Sequence, residues 1–265
     1  MSTGRMIETA LRRDRWIVAG MLAAVFVLSW AYLLTGAGMD MGAMEGMPMS
    51  GMSGGAAMTS MKWTFGYAVV MFFMWWIMMI AMMVPSAAQM ILLFSALHRK
   101  KSVAGSPHVP TALFLTSYLV AWAGFSFVAT TLQWGLAKSG LLSPGMFTTN
   151  TILGGAILIA AGLYQLTPIK QACLKHCGLP IQFLATHWRP GYGGAFRMGL
   201  EHGAYCVGCC WFLMLLLFFG GVMNLYWIAG LAAFVWLEKL APARHWLSYA
   251  MGVIVTAWGG WLLIY

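Results

Sequence analysis

Long apolar runs alternate with short polar breaks along the whole chain, and the runs are far longer than strands. A helix needs roughly 20 apolar residues to cross the hydrocarbon core of a bilayer. Seven stretches are candidates: about Trp16 to Leu34, Trp63 to Val84, Thr111 to Ala137, Thr151 to Thr167, Ala195 to Phe219, Leu225 to Leu237 and Trp246 to Tyr265. The sixth is short. The pattern predicts an all-α, polytopic transmembrane helical bundle of about seven spans. It divides into a basic segment with the first helix (1–34), a flexible outer loop (35–62) and a six-helix core (63–265).

Composition supports this reading. Of 265 residues, 61% are hydrophobic and 8% charged, whereas soluble domains carry about 25% charged residues. That excludes a water-covered globule. The net charge of +9 could suggest nucleic acid, but its placement follows topology. Thirteen of the fifteen Lys and Arg residues fall in the N-terminus and in the breaks after the second, fourth and sixth stretches; only Lys62 and Lys138 lie on the other side. By the positive-inside rule the N-terminus is cytoplasmic and the C-terminus periplasmic. The expected setting is the bacterial inner membrane. The first apolar stretch, about 19 residues, exceeds the 7–15 of a signal-peptide core, so a retained helix is expected.

Methionine changes the picture, with 23 in the chain. The outer loop reads "GMDMGAMEGMPMSGMSGGAAMTSM" and carries Met39, Met41, Met44, Met47, Met49, Met52, Met58 and Met61. A Gly-rich, low-complexity segment buries no core, so these side chains gain nothing from packing and invite oxidation. Thioether sulfur is a soft ligand that selects Cu(I). The competing reading inserts the loop methionines into the membrane surface.

The second stretch continues the theme. Met71, Met74, Met78 and Met82 form one helical stripe, with Met79 and Met83 beside it. Methionine is also a pliable core filler, and each one taken singly reads that way. Together they link the outer loop to the cysteines. Pro85 removes a backbone hydrogen bond and should kink the helix, with Ser86 available to the freed carbonyl.

All five cysteines lie between Cys173 and Cys210. Their odd number excludes a complete disulfide framework. In "QACLKHCGLP", Cys173 and Cys177 are one helical turn apart with His176 between them, and both thiols can reach one ion. In "GLEHGAYCVGCCW", His202, Cys206 and Cys209 or Cys210 share a helical face, with Glu201 adjacent. Ionisable groups within a span are costly and mark functional sites. The structural alternative for Glu201 and His202 is an interhelix lock. Thiolate and imidazole suit Cu(I), with Zn(II) as a second option. Glu238 and Lys239 read as a surface ion pair, and Gln165 and Asn224 as weak candidates.

"WWIMMIAMMVPSAAQM", "LYQLTPIKQACLKHCGLP", "GLEHGAYCVGCCWFLM" and "WLEKLAP" together resemble an uncharacterised bacterial family of predicted metal-binding integral membrane proteins. The resemblance covers most of Trp63 to Tyr265 and implies metal binding and a membrane location without a reaction. Gln89 stands where that family often has a second proline. A looser similarity links the outer methionines, Met78-x3-Met82 and the Cys173–Cys177 element to eukaryotic copper transporters, as chemistry and not as homology.

The leading expectation is a membrane protein that handles Cu(I) in uptake, transfer or storage. The expected metal ligands are Met39, Met41, Met44, Met47, Met49, Met74, Met78, Met82, Met83, Cys173, His176, Cys177, Glu201, His202, Cys206, Cys209 and Cys210. Its partners would be the lipid bilayer, copper, and a periplasmic copper chaperone or a membrane enzyme complex; nucleic acid is not among them. Two readings from other classes stand beside it: an accessory subunit of a membrane copper-enzyme complex, and a membrane thiol–disulfide oxidoreductase.

Overall fold

A computed structural model describes residues 3–36, 63–101, 108–142, 148, 150–242 and 244–264. Ten helices follow in order among them: α1 (Thr3–Leu34), α2 (Phe65–Lys101), α3 (His108–Lys138), α4 (Thr151–Gln165), α5 (Pro168–Gly178), α6 (Pro180–His187), α7 (Gly191–Leu215), α8 (Leu217–Gly220), α9 (Leu225–Leu240) and α10 (Arg244–Ile264). One isolated antiparallel bridge, Leu142 with Thr148, is the extended pairing among the described residues. The all-α expectation holds.

Among the described residues, five segments are long and apolar enough to cross a membrane: Arg15–Leu34, Phe65–Arg99, His108–Lys138, Gly191–Gly220 and Arg244–Ile264. A sixth is the pair α4–α5, bent by 65°. The sequence explains the bend. Thr167 precedes Pro168, which disfavours the helical region for the residue before it, and Thr167 is extended (φ −75°, ψ 146°). Its hydroxyl then accepts from the Lys170 backbone N–H and starts α5 afresh.

The sixth expected stretch, α9, has 16 residues. That rise is about 24 Å, short of a hydrocarbon core of about 30 Å. It nevertheless runs from one end of the bundle toward the other. Trp227 Nε1 donates to Leu216 O, at the end of α7, while Lys239 O lies beside Gly178, at the end of α5. Because α9 is short, its terminal Glu238 and Lys239 are drawn inside the protein, at 0% and 5% exposure.

The central layer is α2, α3 and α7. Residue pairs fix their directions. Phe94 stacks on Phe114 and Trp75 Nε1 donates to Gln133 Oε1 at 2.7 Å, so α2 and α3 are antiparallel. Gly199 faces Phe114 and Ser117, and Gly203 faces Tyr118 and Ala121, so α3 and α7 run parallel. A Cβ on Gly199 would come within 2.1 Å of Ser117 Oγ and 2.2 Å of Phe114 O. Gly199 and Gly203, small residues one turn apart, therefore set a close backbone approach. The pair α4 and α10 uses the same device in antiparallel sense. A Cβ on Gly162 would meet Gly252 O at 2.7 Å, and one on Gly259 would meet Gly155 O at 2.9 Å. Helix α1 packs mainly on α2, leaving Trp16, Met21, Val27 and Leu28 exposed, an apolar face suited to lipid.

Helix α2 continues through Pro85 to Lys101, where the sequence reading ended it near Val84. Ser86 Oγ donates to Met83 O at 2.9 Å, not to the Ala81 carbonyl that Pro85 leaves without its helical N–H partner, so the expected rescue by Ser86 is not what forms. Met71, Met74, Met78, Met79, Met82 and Met83 are all buried, while Phe65, Val69, Val70 and Phe73 of the same helix are exposed. The stripe faces the bundle interior.

Candidate metal centre

The inner face of α7 is a column of buried residues at helical spacing: Met198, His202, Cys206, Cys209 and Cys210, with Leu213 and Met214 beyond. Helix α5 crosses this face and delivers Cys177. The Cys177 thiol interacts with those of Cys206 and Cys209, and Cys206 also interacts with Cys210. Four sulfurs from two helices thus gather inside the bundle. All five cysteines are free thiols.

Cys206 is the hub. Its Sγ accepts from Lys239 Nζ at 3.0 Å and lies 3.1 Å from Tyr118 Oη, where either atom could donate. Tyr118 Oη is also 3.4 Å from Met83 O. The methionine helix therefore meets the thiol cluster at Met83, by way of the tyrosine. Lys239 Nζ donates a second bond to Ser86 Oγ at 2.9 Å. Cys209 and Cys210 donate to Cys206 O at 3.1 and 2.9 Å, the back-bonding open to small polar side chains inside a helix. Among the described residues, no group of three or more His, Cys, Asp or Glu side chains stands in an arrangement that could hold a metal ion. To bring three donors onto one ion, the Cys209 and Cys210 side chains must turn away from their own backbone.

The other expected ligands occupy varied places. His202 is 1% exposed. Its ring stacks on Tyr118 at 5.8 Å and lies edge-on to Phe183. Its Nδ1 is buried with no hydrogen-bond partner among the described residues. Glu201 points elsewhere, pairing with Arg197 Nε at 3.0 Å and Arg189 Nη2 at 3.3 Å. His176 stacks on Tyr205 at 4.5 Å, and its Nδ1 is 2.9 Å from Ala172 O. Cys173 is half-buried, and its Sγ would lie 2.9 Å from a Cβ on Gly208. Met74, Met78, Met82 and Met83 lie in the packed core. Met39, Met41, Met44, Met47 and Met49 lie outside the described residues.

Glu238 and Lys239 do not form the expected surface pair. Adjacent helix residues point about 100° apart, and each has its own partner on a different neighbour. Glu238 Oε1 is 2.5 Å from Lys170 Nζ and accepts from Ser248 Oγ at 2.5 Å. Lys170 also donates to Gln165 Oε1. Gln165 and Glu238 thus hold the α4–α5 bend against α9 and α10. Lys239 turns the other way, to the thiols.

Sequence reading missed Lys239 and Tyr118 as parts of the site. For Lys239 the signal was present: an ionisable residue at the end of a helix too short to bring it out of the membrane. For Tyr118, one tyrosine in an apolar helix, there was none. A small cavity of about 10 Å³, lined by Ser86, Gln89, Met90, Cys177, Gly178, Pro180 and Lys239, opens beside Cys177. It is about the size of one water molecule.

No curated protein and no solved structure matches the chain. Residues 72–262 match the family described as PpoB2: Copper chaperone. The match takes in all five cysteines, Tyr118 and Lys239, and by its extent this chain belongs to that family.

Proposed function

We propose that the protein is a multi-pass copper chaperone of the bacterial inner membrane that carries Cu(I) on thiolates within the bundle. The observation that carries the reading is the meeting of Cys177 from α5 with Cys206 and Cys209 from α7, beneath the buried methionine stripe of α2. The family description supplies copper. Soft sulfur donors suit the monovalent ion.

In this reading the outer methionines collect the ion, and Met74, Met78, Met82 and Met83 pass it along the α2 interior. Cys177 and Cys206, from facing helices, hold it, with Cys209, Cys210 and His202 flanking. Cys173 and His176 take part in entry or release on the cytoplasmic side. Weak thioether sites above stronger thiolate sites give the graded binding that transfer requires. The basic residues orient the N-terminus to the cytoplasm.

The test is metal content. Protein purified after copper loading is compared with a Cys206→Ser/Cys209→Ser/Cys210→Ser variant. The reading expects roughly stoichiometric copper in the wild type and near-complete loss in the variant. Equal copper in both ends the intramembrane-site idea.

A further inference from the structure

We infer that Lys239 is the counter-charge of the thiol site, and that it sets the site's preference for a monovalent ion. The inference deepens the copper reading and rests on it.

Among the described residues, three charged side chains are nearly or wholly buried: Lys170, Glu238 and Lys239. Glu238 is consumed by Lys170 at 2.5 Å. Lys239 is left facing Ser86 Oγ at 2.9 Å and Cys206 Sγ at 3.0 Å. Neither neighbour is a carboxylate; the groups beside it that can carry negative charge are the thiols of Cys177, Cys206 and Cys209 and the Tyr118 phenol, and of these a thiol is intrinsically the more acidic. A buried ammonium without a counter-charge is strongly unfavourable.

The same count applies when an ion enters. Cu(I) on two thiolates leaves the centre with one net negative charge, and the Lys239 ammonium brings the sum to zero. A divalent ion on the same two thiolates is already neutral, and Lys239 then adds an uncompensated positive charge. In a low-dielectric interior that difference is large. A divalent ion could restore balance by recruiting a third thiolate. Zn(II) prefers four tetrahedral donors, however, and the described residues offer no three-donor group so disposed. Cys177 lines the same small cavity as Lys239, which bonds Cys206, so two thiols stand by the ammonium for a two-coordinate monovalent ion. Lys239 is thus a specificity-determining residue, not a ligand. Its second bond, to Ser86, keeps the ammonium beside the sulfur while leaving the thiolate lone pairs free for the metal.

The experiment uses purified full-length protein. Wild type, Lys239→Met, Lys239→Arg and the triple serine variant are titrated anaerobically with Cu(I) against a chromogenic Cu(I) chelator, and separately with Zn(II). Lys239→Met should lose at least tenfold in Cu(I) affinity while Zn(II) affinity holds or rises. Lys239→Arg should stay within about threefold of wild type for Cu(I). An unchanged Cu(I)-to-Zn(II) ratio in Lys239→Met overturns the inference. Should that variant not fold, Ser86→Asp carries the test. It keeps Lys239 and spends its charge on a new carboxylate, so Cu(I) affinity should again fall; unchanged affinity overturns the inference equally. The triple serine variant separates the two failures. If wild-type copper binding does not need the cysteines, the functional reading itself fails. If it needs the cysteines but ignores Lys239 charge, only the role given to Lys239 fails.

Discussion

Glu238→Gln is the most exacting test of the interior. The carboxylate lies between Lys170 Nζ and Ser248 Oγ, each at 2.5 Å, and Lys170 is wholly buried. The substitution keeps the shape and removes the charge, leaving a buried ammonium that still donates to Gln165 Oε1. Removing one member of a buried pair costs about 3–5 kcal/mol. At roughly 2–4 °C per kcal/mol for a domain of this size, the apparent Tm should fall by about 6–20 °C. Thermal unfolding in detergent, followed by a thiol-reactive fluorophore, suits a protein whose cysteines are mostly buried. Lys170→Met should cost a similar amount. The double variant Lys170→Met/Glu238→Leu should lose clearly less than the sum of the single losses, because paired apolar replacement leaves no orphan charge. A shift below about 2 °C in Glu238→Gln, or strict additivity in the double variant, would show that the pair is not the buried lock described here.

Four further outcomes follow from the packing. Gly203→Leu should disrupt the α3–α7 contact, since even a Cβ would sit 2.6 Å from that of Ala121; the cost should exceed about 3 kcal/mol. By contrast, Gly124→Ala, with open space around it, should leave the Tm within a few degrees. Tyr118→Phe removes the hydroxyl's contacts with Cys206 Sγ and the long one with Met83 O and should cost about 1–2 kcal/mol in the same assay, without the large loss of Glu238→Gln. In native protein a small maleimide should label half-buried Cys173 first, with Cys206, Cys209 and Cys210 protected until denaturant is added; mass spectrometry of the labelled peptides reads the order.

Much of this was legible in the chain. The apolar runs located every long helix to within a few residues, except that α1 begins at Thr3 and α2 passes Pro85 to end at Lys101. One reason is that a proline costs a helix one hydrogen bond, which the burial of Met82, Met83, Val84 and Ala87 on either side of it offsets. The i, i+4 and i+7 spacing put His202, Cys206 and the following cysteines on one buried face, as the spacing alone required. The opposing residue was less visible. That Cys177 and not Cys173 meets α7 at the thiols depends on the angle of α5, set by the break at Thr167–Pro168. The ion-pair partners were misread because adjacency in sequence suggested Glu238 with Lys239. Helical geometry separates them, and a helix too short for the membrane buries both. The methionines of the outer loop were read from composition, and they lie outside the described residues.

The central claim is that cysteine sulfurs from α5 and α7 share one monovalent copper ion. X-ray absorption at the copper edge, on copper-loaded protein, tests it most directly. The account predicts a Cu(I) edge and a shell of sulfur alone near about 2.3 Å, typical of thiolate–metal bonds, lost when Cys177 and Cys206 are both changed to serine. A Cu(II) edge, a shell dominated by nitrogen or oxygen, or an unaltered spectrum in that double variant would contradict it.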